Sequence, residues 1–180
     1  MKFASGVTVC GLLVSVLPSP AFGQTPIIND QIDYAGFRKI VAEVETVRES
    51  RRLTEEKFAQ ALAEPGVVLL DARSASMFAL RHIKGAVNLP FTDFTAESLA
   101  RVIPTKTTKV LIYCNNNFTG DSPAFRVKAI TASLNLSTYT SLRSYGYTNV
   151  HELGPAVDVA RTALVFEGAD VTPPPRPVDR

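Results

Sequence analysis

Cys114 is the side chain best placed to act as a nucleophile, because it ends the apolar run Val110-Leu111-Ile112-Tyr113. A thiolate attacks sulfur and carbon centres far better than a thiol, so its surroundings decide whether it reacts. The residues that follow are Asn115-Asn116-Asn117-Phe118-Thr119-Gly120-Asp121, then Ser122-Pro123, an N-cap followed by proline at a first helical position. That order closes a loop onto a helix N-terminus, where unpaired N–H groups and a partial positive charge favour a thiolate or a bound anion. Asparagine tolerates left-handed backbone, so residues 115–120 are expected to curl several N–H groups toward the sulfur. A plain polar turn is the competing reading.

The other candidates have less to offer chemistry. Asp71 and Arg73, at the end of a buried strand, are expected to pair with each other or with loop backbone. His82, followed by Ile83-Lys84-Gly85-Ala86, is expected to lock a turn by hydrogen bonding rather than act as a base. Cys114, His82 and His151 lack any close metal-ligand spacing, so neither a metal nor another cofactor is expected. A phosphatase or arsenate reductase would place an arginine near the end of the cysteine loop. The sixth residue after Cys114 is Gly120, and Asp121 beside it would repel a dianion.

The N-terminus sets the compartment in which this thiol is expected to work. Met1-Lys2, a mostly apolar run over residues 7–17, Pro18 and Pro20, and then Ala21-Phe22-Gly23 read as a signal peptide over residues 1–23. The run is too short to span a bilayer comfortably. The expectation is an exported chain, periplasmic or secreted, without stable membrane insertion. Cleavage after Gly23 removes Cys10, so Cys114 is left with no disulfide partner in its own chain and is either buried and inert or reactive and used. It also removes Lys2, which takes the formal net charge from +2 to +1. That balance argues against nucleic-acid binding.

The elements that must position the thiol follow from periodicity. Phe37, Ile40, Val41, Val44 and Val47 fall at helical spacing, so residues 24–49 form a helical extension whose amphipathic helix covers the domain. A short strand near Arg51-Arg52 leads to a helix capped by Thr54, with Leu53 and Phe58 as a hydrophobic staple and Pro65-Gly66 as its stop. Residues 67–70 and 109–113 are continuous apolar runs, the pattern of strands buried on both faces. Shorter strands are expected at residues 86–88 and 149–152, with helices over residues 97–102 and between 123 and 145. This alternation predicts one α/β domain over residues 50–158, with a central parallel sheet flanked by helices on both faces. Ligands of such folds bind beyond the carboxyl ends of the strands, where Cys114 sits. Residues 159–180 are expected to form a proline-rich tail, in which Thr172-Pro173-Pro174-Pro175-Arg176-Pro177 is extended or disordered.

Four blocks, in order, resemble the rhodanese family. They are Leu69-Leu70-Asp71-Ala72-Arg73 with Phe78 after it, His82-Ile83-Lys84-Gly85-Ala86-Val87-Asn88-Leu89-Pro90, the strand ending at Cys114, and Tyr145-Gly146-Tyr147-Thr148-Asn149-Val150-His151-Glu152-Leu153-Gly154. The resemblance implies a sulfurtransferase in which Cys114 takes a sulfane sulfur from a donor such as thiosulfate and passes it, as a persulfide, to a thiol or cyanide acceptor. Backbone N–H groups of Asn115, Asn116, Asn117, Phe118, Thr119 and Gly120 would hold the persulfide anion. The loop departs from the family in having no basic residue between Cys114 and Ser122, which leaves Arg126 and Lys128 as candidate charge support. The stretch from Cys114 to Gly146 is longer than in typical members, which predicts an added helix around residues 137–144. Gly154-Pro155-Ala156 replaces paired glycines. A catalytically silent binding module that uses the same scaffold to meet a protein partner is the alternative function.

Overall fold

The computed structural model describes residues 27–120 and 123–171. The signal-peptide reading of residues 1–23 and the Pro173-Pro174-Pro175 run both lie outside them. Two units are distinguished, Met1–Ile32 and Asp33–Arg180. The first contributes only residues 27–32, where the Ile32 N–H closes a turn on the Asn29 carbonyl (3.1 Å).

The second unit begins with α1 (Tyr34–Arg48), whose N-cap Asp33 accepts from the Gly36 N–H at 2.8 Å. It continues through β1 (Arg52–Leu53), α2 (Glu55–Leu62), β2 (Val68–Asp71), α3 (Ala75–Leu80), β3 (His82–Ile83) and β4 (Val87–Asn88). Next come α4 (Ala96–Val102), β5 (Val110–Tyr113), β6 (Phe118–Thr119), α5 (Leu134–Ser144), β7 (Val150–Leu153), β8 (Val157–Asp158) and β9 (Phe166–Glu167). Thr54 caps α2 as expected, accepting from the Lys57 N–H. Phe58 is fully buried beneath it.

The main sheet is parallel throughout, in the order β1-β7-β5-β2-β4, so β5 is its middle strand. Every residue of β5 is buried. That burial explains its uninterrupted apolar sequence, since neither face meets water. Successive side chains alternate between two cores. Leu111 and Tyr113 join Leu69, Leu153 and the α2 residues Phe58 and Ala61 on one face. Val110 and Ile112 join Leu70, Val150, Val44 of α1, Leu99 of α4 and Leu142 of α5 on the other. Helices therefore cover both faces, in agreement with the α/β reading.

The segment between Cys114 and β7 differs from expectation in two ways. Pro123-Ala124-Phe125 forms only a 3-10 turn, and a second such turn spans Ile130–Ala132 before α5 begins at Leu134. A helix starting at Pro123 yields to tertiary contacts. The Ala124 carbonyl accepts from Arg73 (2.8 Å), and the Phe125 ring packs 4.2 Å from that of Phe118. Residues 137–144, where an added helix was expected, are part of α5.

Residues 159–171, the described part of the expected tail, pack on the domain. Leu164 is buried in the core, and β9 pairs antiparallel with β3. Gly168 then turns the chain so that Ala169 and Asp170 N–H groups reach the Ala79 and Leu80 carbonyls (both 2.9 Å). Gly168 has φ +130°, and a Cβ there would collide with the Leu80 carbonyl. Gly168→Ala is therefore expected to cost about 1–3 kcal/mol. The check is urea denaturation together with faster hydrogen exchange at the Ala169 and Asp170 amides.

Candidate active site around Cys114

Cys114 leaves the carboxyl end of β5 in extended conformation and is 1% exposed. Asn115, Asn116 and Asn117 form the 3-10 turn that follows. The Asn117 N–H closes that turn on the Cys114 carbonyl (3.2 Å), and the Ser133 hydroxyl lies 3.4 Å from the Cys114 sulfur. Ser133 is the N-cap of α5, and its hydroxyl makes no capping bond. The helix whose N-terminus faces the thiol is therefore α5, rather than one beginning at Pro123. Its eleven residues place the positive end of a backbone dipole near the sulfur.

Asparagine side chains, not left-handed backbone, build this site; among the described residues only glycines have positive φ. The Asn117 oxygen accepts from the Cys114 N–H (2.9 Å) and from the Asn135 side chain (3.0 Å). Its amide nitrogen donates to the Leu153 and Pro155 carbonyls (2.7 and 3.2 Å). One buried amide thus joins β5, α5 and the end of β7. Asn116 clamps the backbone of Lys128 from both sides, donating to its carbonyl (2.9 Å) and accepting from its N–H (3.0 Å).

Of the N–H groups of residues 115–120 expected to face the sulfur, that of Asn117 goes to the Cys114 carbonyl (3.2 Å) and that of Phe118 to the Asn115 carbonyl, and Phe118 itself is core. Thr119 pairs with Asp158 in the β6–β8 ladder, and Gly120 turns away with φ +86°. Thr119, Gly120 and Arg126 line a separate depression with Phe125. Neither Arg126 nor Lys128 lines the space around Cys114. Pairing of β6 with β8 takes this half of the loop out of reach of the sulfur.

A cavity of about 280 Å³ opens beside Cys114, Asn117, Ser133 and Asn135. Arg48, Arg52 and Glu152 complete its wall. Glu152, on β7, is 1% exposed, with Arg48 Nη2 at 2.6 Å and Arg52 Nε at 3.3 Å. Burial pushes the Glu152 carboxyl up, and the charge of Arg48 pulls it back. Periodicity assigned α1 to covering the core and gave no sign that its last residue reaches the thiol. Glu152, between Val150 and Leu153 on β7, was the one readable sign of a buried charge at this wall.

Behind this site, Asp71 and Arg73 pair as expected. Arg73 donates to Asp71 through Nε (3.0 Å) and through Nη2, and also reaches the Ala124 and Arg81 carbonyls (both 2.8 Å). The Tyr113 hydroxyl donates to Asp71 (2.6 Å) and accepts the Ile83 N–H (3.1 Å). Burial drives the Tyr113 phenol well above its usual value. Burial opposes the charge on Arg73, and its bonds with Asp71 more than offset this, so its pKa lies above the ordinary guanidinium value. His82 holds the Phe78 carbonyl through Nδ1 (2.8 Å) and stacks on the Phe78 ring. Both sets fasten loops to the sheet and stand apart from the Cys114 cavity.

Comparison with known proteins agrees with these features. The family model described as Rhodanese-like domain matches residues 54–154, from the α2 cap to the end of β7. Among solved structures, the chain is similar to the rhodanese-like domain of the Alr3790 protein from Anabaena sp., at 20% identity and TM-score 0.49, over 72% of this chain and 88% of that one. It is also similar to a rhodanese from E. coli solved with anions, at 23% identity and TM-score 0.37, over 57% of this chain and 98% of that one. A thiosulfate sulfurtransferase from Pseudomonas aeruginosa matches at 27% identity and TM-score 0.40, over 58% of this chain and 17% of that one. No curated protein matches the chain. With more than half of its residues matched, including the strand that delivers Cys114, the chain belongs to the rhodanese-like domain family.

Proposed function

We propose that the protein is a sulfurtransferase whose Cys114 carries sulfane sulfur as a persulfide. The observation that carries this reading is the place of the sulfur, 3.4 Å from the Ser133 hydroxyl and beside a polar cavity at the carboxyl end of the middle strand. In the first step the Cys114 thiolate attacks the outer sulfur of thiosulfate. An S–S bond forms, and the sulfur–sulfur bond of the donor breaks with its electron pair leaving as sulfite. In the second step a cyanide or thiolate acceptor attacks the outer persulfide sulfur, and Cys114 departs as thiolate. The Ser133 hydroxyl and the α5 N-terminus are placed to stabilise the persulfide anion.

Cys10 is the only other cysteine of the chain and belongs to the expected signal peptide, so the acceptor is external. The proposed setting is accordingly periplasmic or extracellular. The second reading, a silent binding module, is favoured by the burial of Cys114, 1% exposed. Cys114→Ser separates the two. It is expected to keep the fold and to abolish thiocyanate release from thiosulfate and cyanide. Turnover equal to that of the native chain would exclude Cys114 as the carrier.

A further inference from the structure

Charge is what the cysteine loop lacks. Residues 115–120 carry no basic side chain, and Arg126 and Lys128 do not line the Cys114 cavity. An oxyanion donor brought to that thiol needs a counter-charge, and the cavity wall offers two arginines that both precede the matched segment 54–154. They are not equivalent. Arg52 is fully engaged, with Nε on Glu152 (3.3 Å), Nη1 on Glu49 (3.2 Å) and Nη2 on the Gly154 carbonyl (3.1 Å).

Among the described residues Arg48 has one charged partner, Glu152, at 2.6 Å through Nη2. Arg48 Nε is buried without a hydrogen-bond partner among the described residues, as are both Glu152 oxygens. A guanidinium whose Nε donor is unused, in the wall of the cavity that Cys114 lines, is suited to a bidentate grip on an oxyanion.

We propose that Arg48, the last residue of α1, holds the oxyanion end of the sulfur donor. Glu152 and Arg52 form the ion pair that remains when Arg48 turns to it. The helical segment ahead of the family domain is then part of the active site, and the donors selected are anionic sulfane compounds of the thiosulfate type. This inference rests on the persulfide reading of Cys114. The reaction balances as before, with Arg48 contacting the sulfonate oxygens that leave as sulfite.

The test measures two rates at Cys114 on the full chain: sulfur uptake from thiosulfate, and alkylation by uncharged iodoacetamide. Protection of the thiol from iodoacetamide by inorganic sulfate is recorded beside them. Arg48→Met is expected to slow thiosulfate uptake by about tenfold or more and to abolish sulfate protection, with alkylation changed less than about twofold. Arg48→Lys should fall between, and Glu152→Gln, which releases Arg48, should speed uptake. Because Arg48→Met leaves Glu152 with one partner, the Arg48→Met/Glu152→Gln variant repeats the measurement without an uncompensated buried charge. Loss of both rates in equal proportion, or of neither, would overturn the role of Arg48. A wild-type chain that gains no sulfur, yet shows Arg48-dependent sulfate protection, would keep the anion site and sink the persulfide reading.

Discussion

Arg73→Leu is expected to lower the stability of the domain by about 3–5 kcal/mol, because it leaves the Asp71 carboxylate in the core without its cation. Asp71 is 0% exposed and Arg73 2%. The guanidinium also joins α3 and the 123–125 turn to the sheet through the Arg81 and Ala124 carbonyls. Its plane packs over the Phe125 ring at 4.6 Å. Urea denaturation read by circular dichroism measures the loss. The double variant Asp71→Asn/Arg73→Leu should recover part of it, since removing both charges avoids the lone buried carboxylate. A single variant within about 1 kcal/mol of the native chain would show the pair to be dispensable.

Asn117→Ala is expected to cost about 3 kcal/mol and to reduce sulfur uptake at Cys114 by roughly tenfold to a hundredfold. Four bonds are lost together, and the Cys114 N–H, the Asn135 amide and the Leu153 carbonyl lose a buried partner. The stability change follows from leaving those groups unsatisfied. The kinetic change follows from releasing the turn that holds Cys114 beside Ser133 at the cavity. Asn116→Ala supplies the comparison. Its clamp on Lys128 is exposed, so a loss under about 1 kcal/mol is expected. Equal effects of the two substitutions would contradict the assignment of Asn117 as the organising residue.

Different kinds of residue carried the legible and the hidden parts of this structure. The strands β2 and β5 were readable because burial on both faces demands unbroken apolar sequence, and the α2 cap because Thr54 satisfies a local donor. Cys114 was readable for the same reason, as the first non-strand residue of β5. The α5 start was not. Ser122-Pro123 is a stronger local helix signal than Ser133-Leu134, but Arg73 takes the Ala124 carbonyl and Phe118 takes the Phe125 ring. Both contacts are distant in sequence. Asn117 drew notice for what its backbone might do, whereas its amide side chain does the work through partners near residues 135 and 153. Arg48 was hidden for a simpler reason: it belongs to a helix whose apolar spacing explains its presence fully, and only the fold brings it to Cys114.

The most direct test of the central claim is the intact mass of the purified chain after incubation with thiosulfate, with and without reductant, beside Cys114→Ser. The account predicts a gain of one sulfur atom that reductant removes and that the serine variant never shows. No adduct on the native chain, with Cys114 open to alkylation, would contradict it and leave the fold as a scaffold for binding.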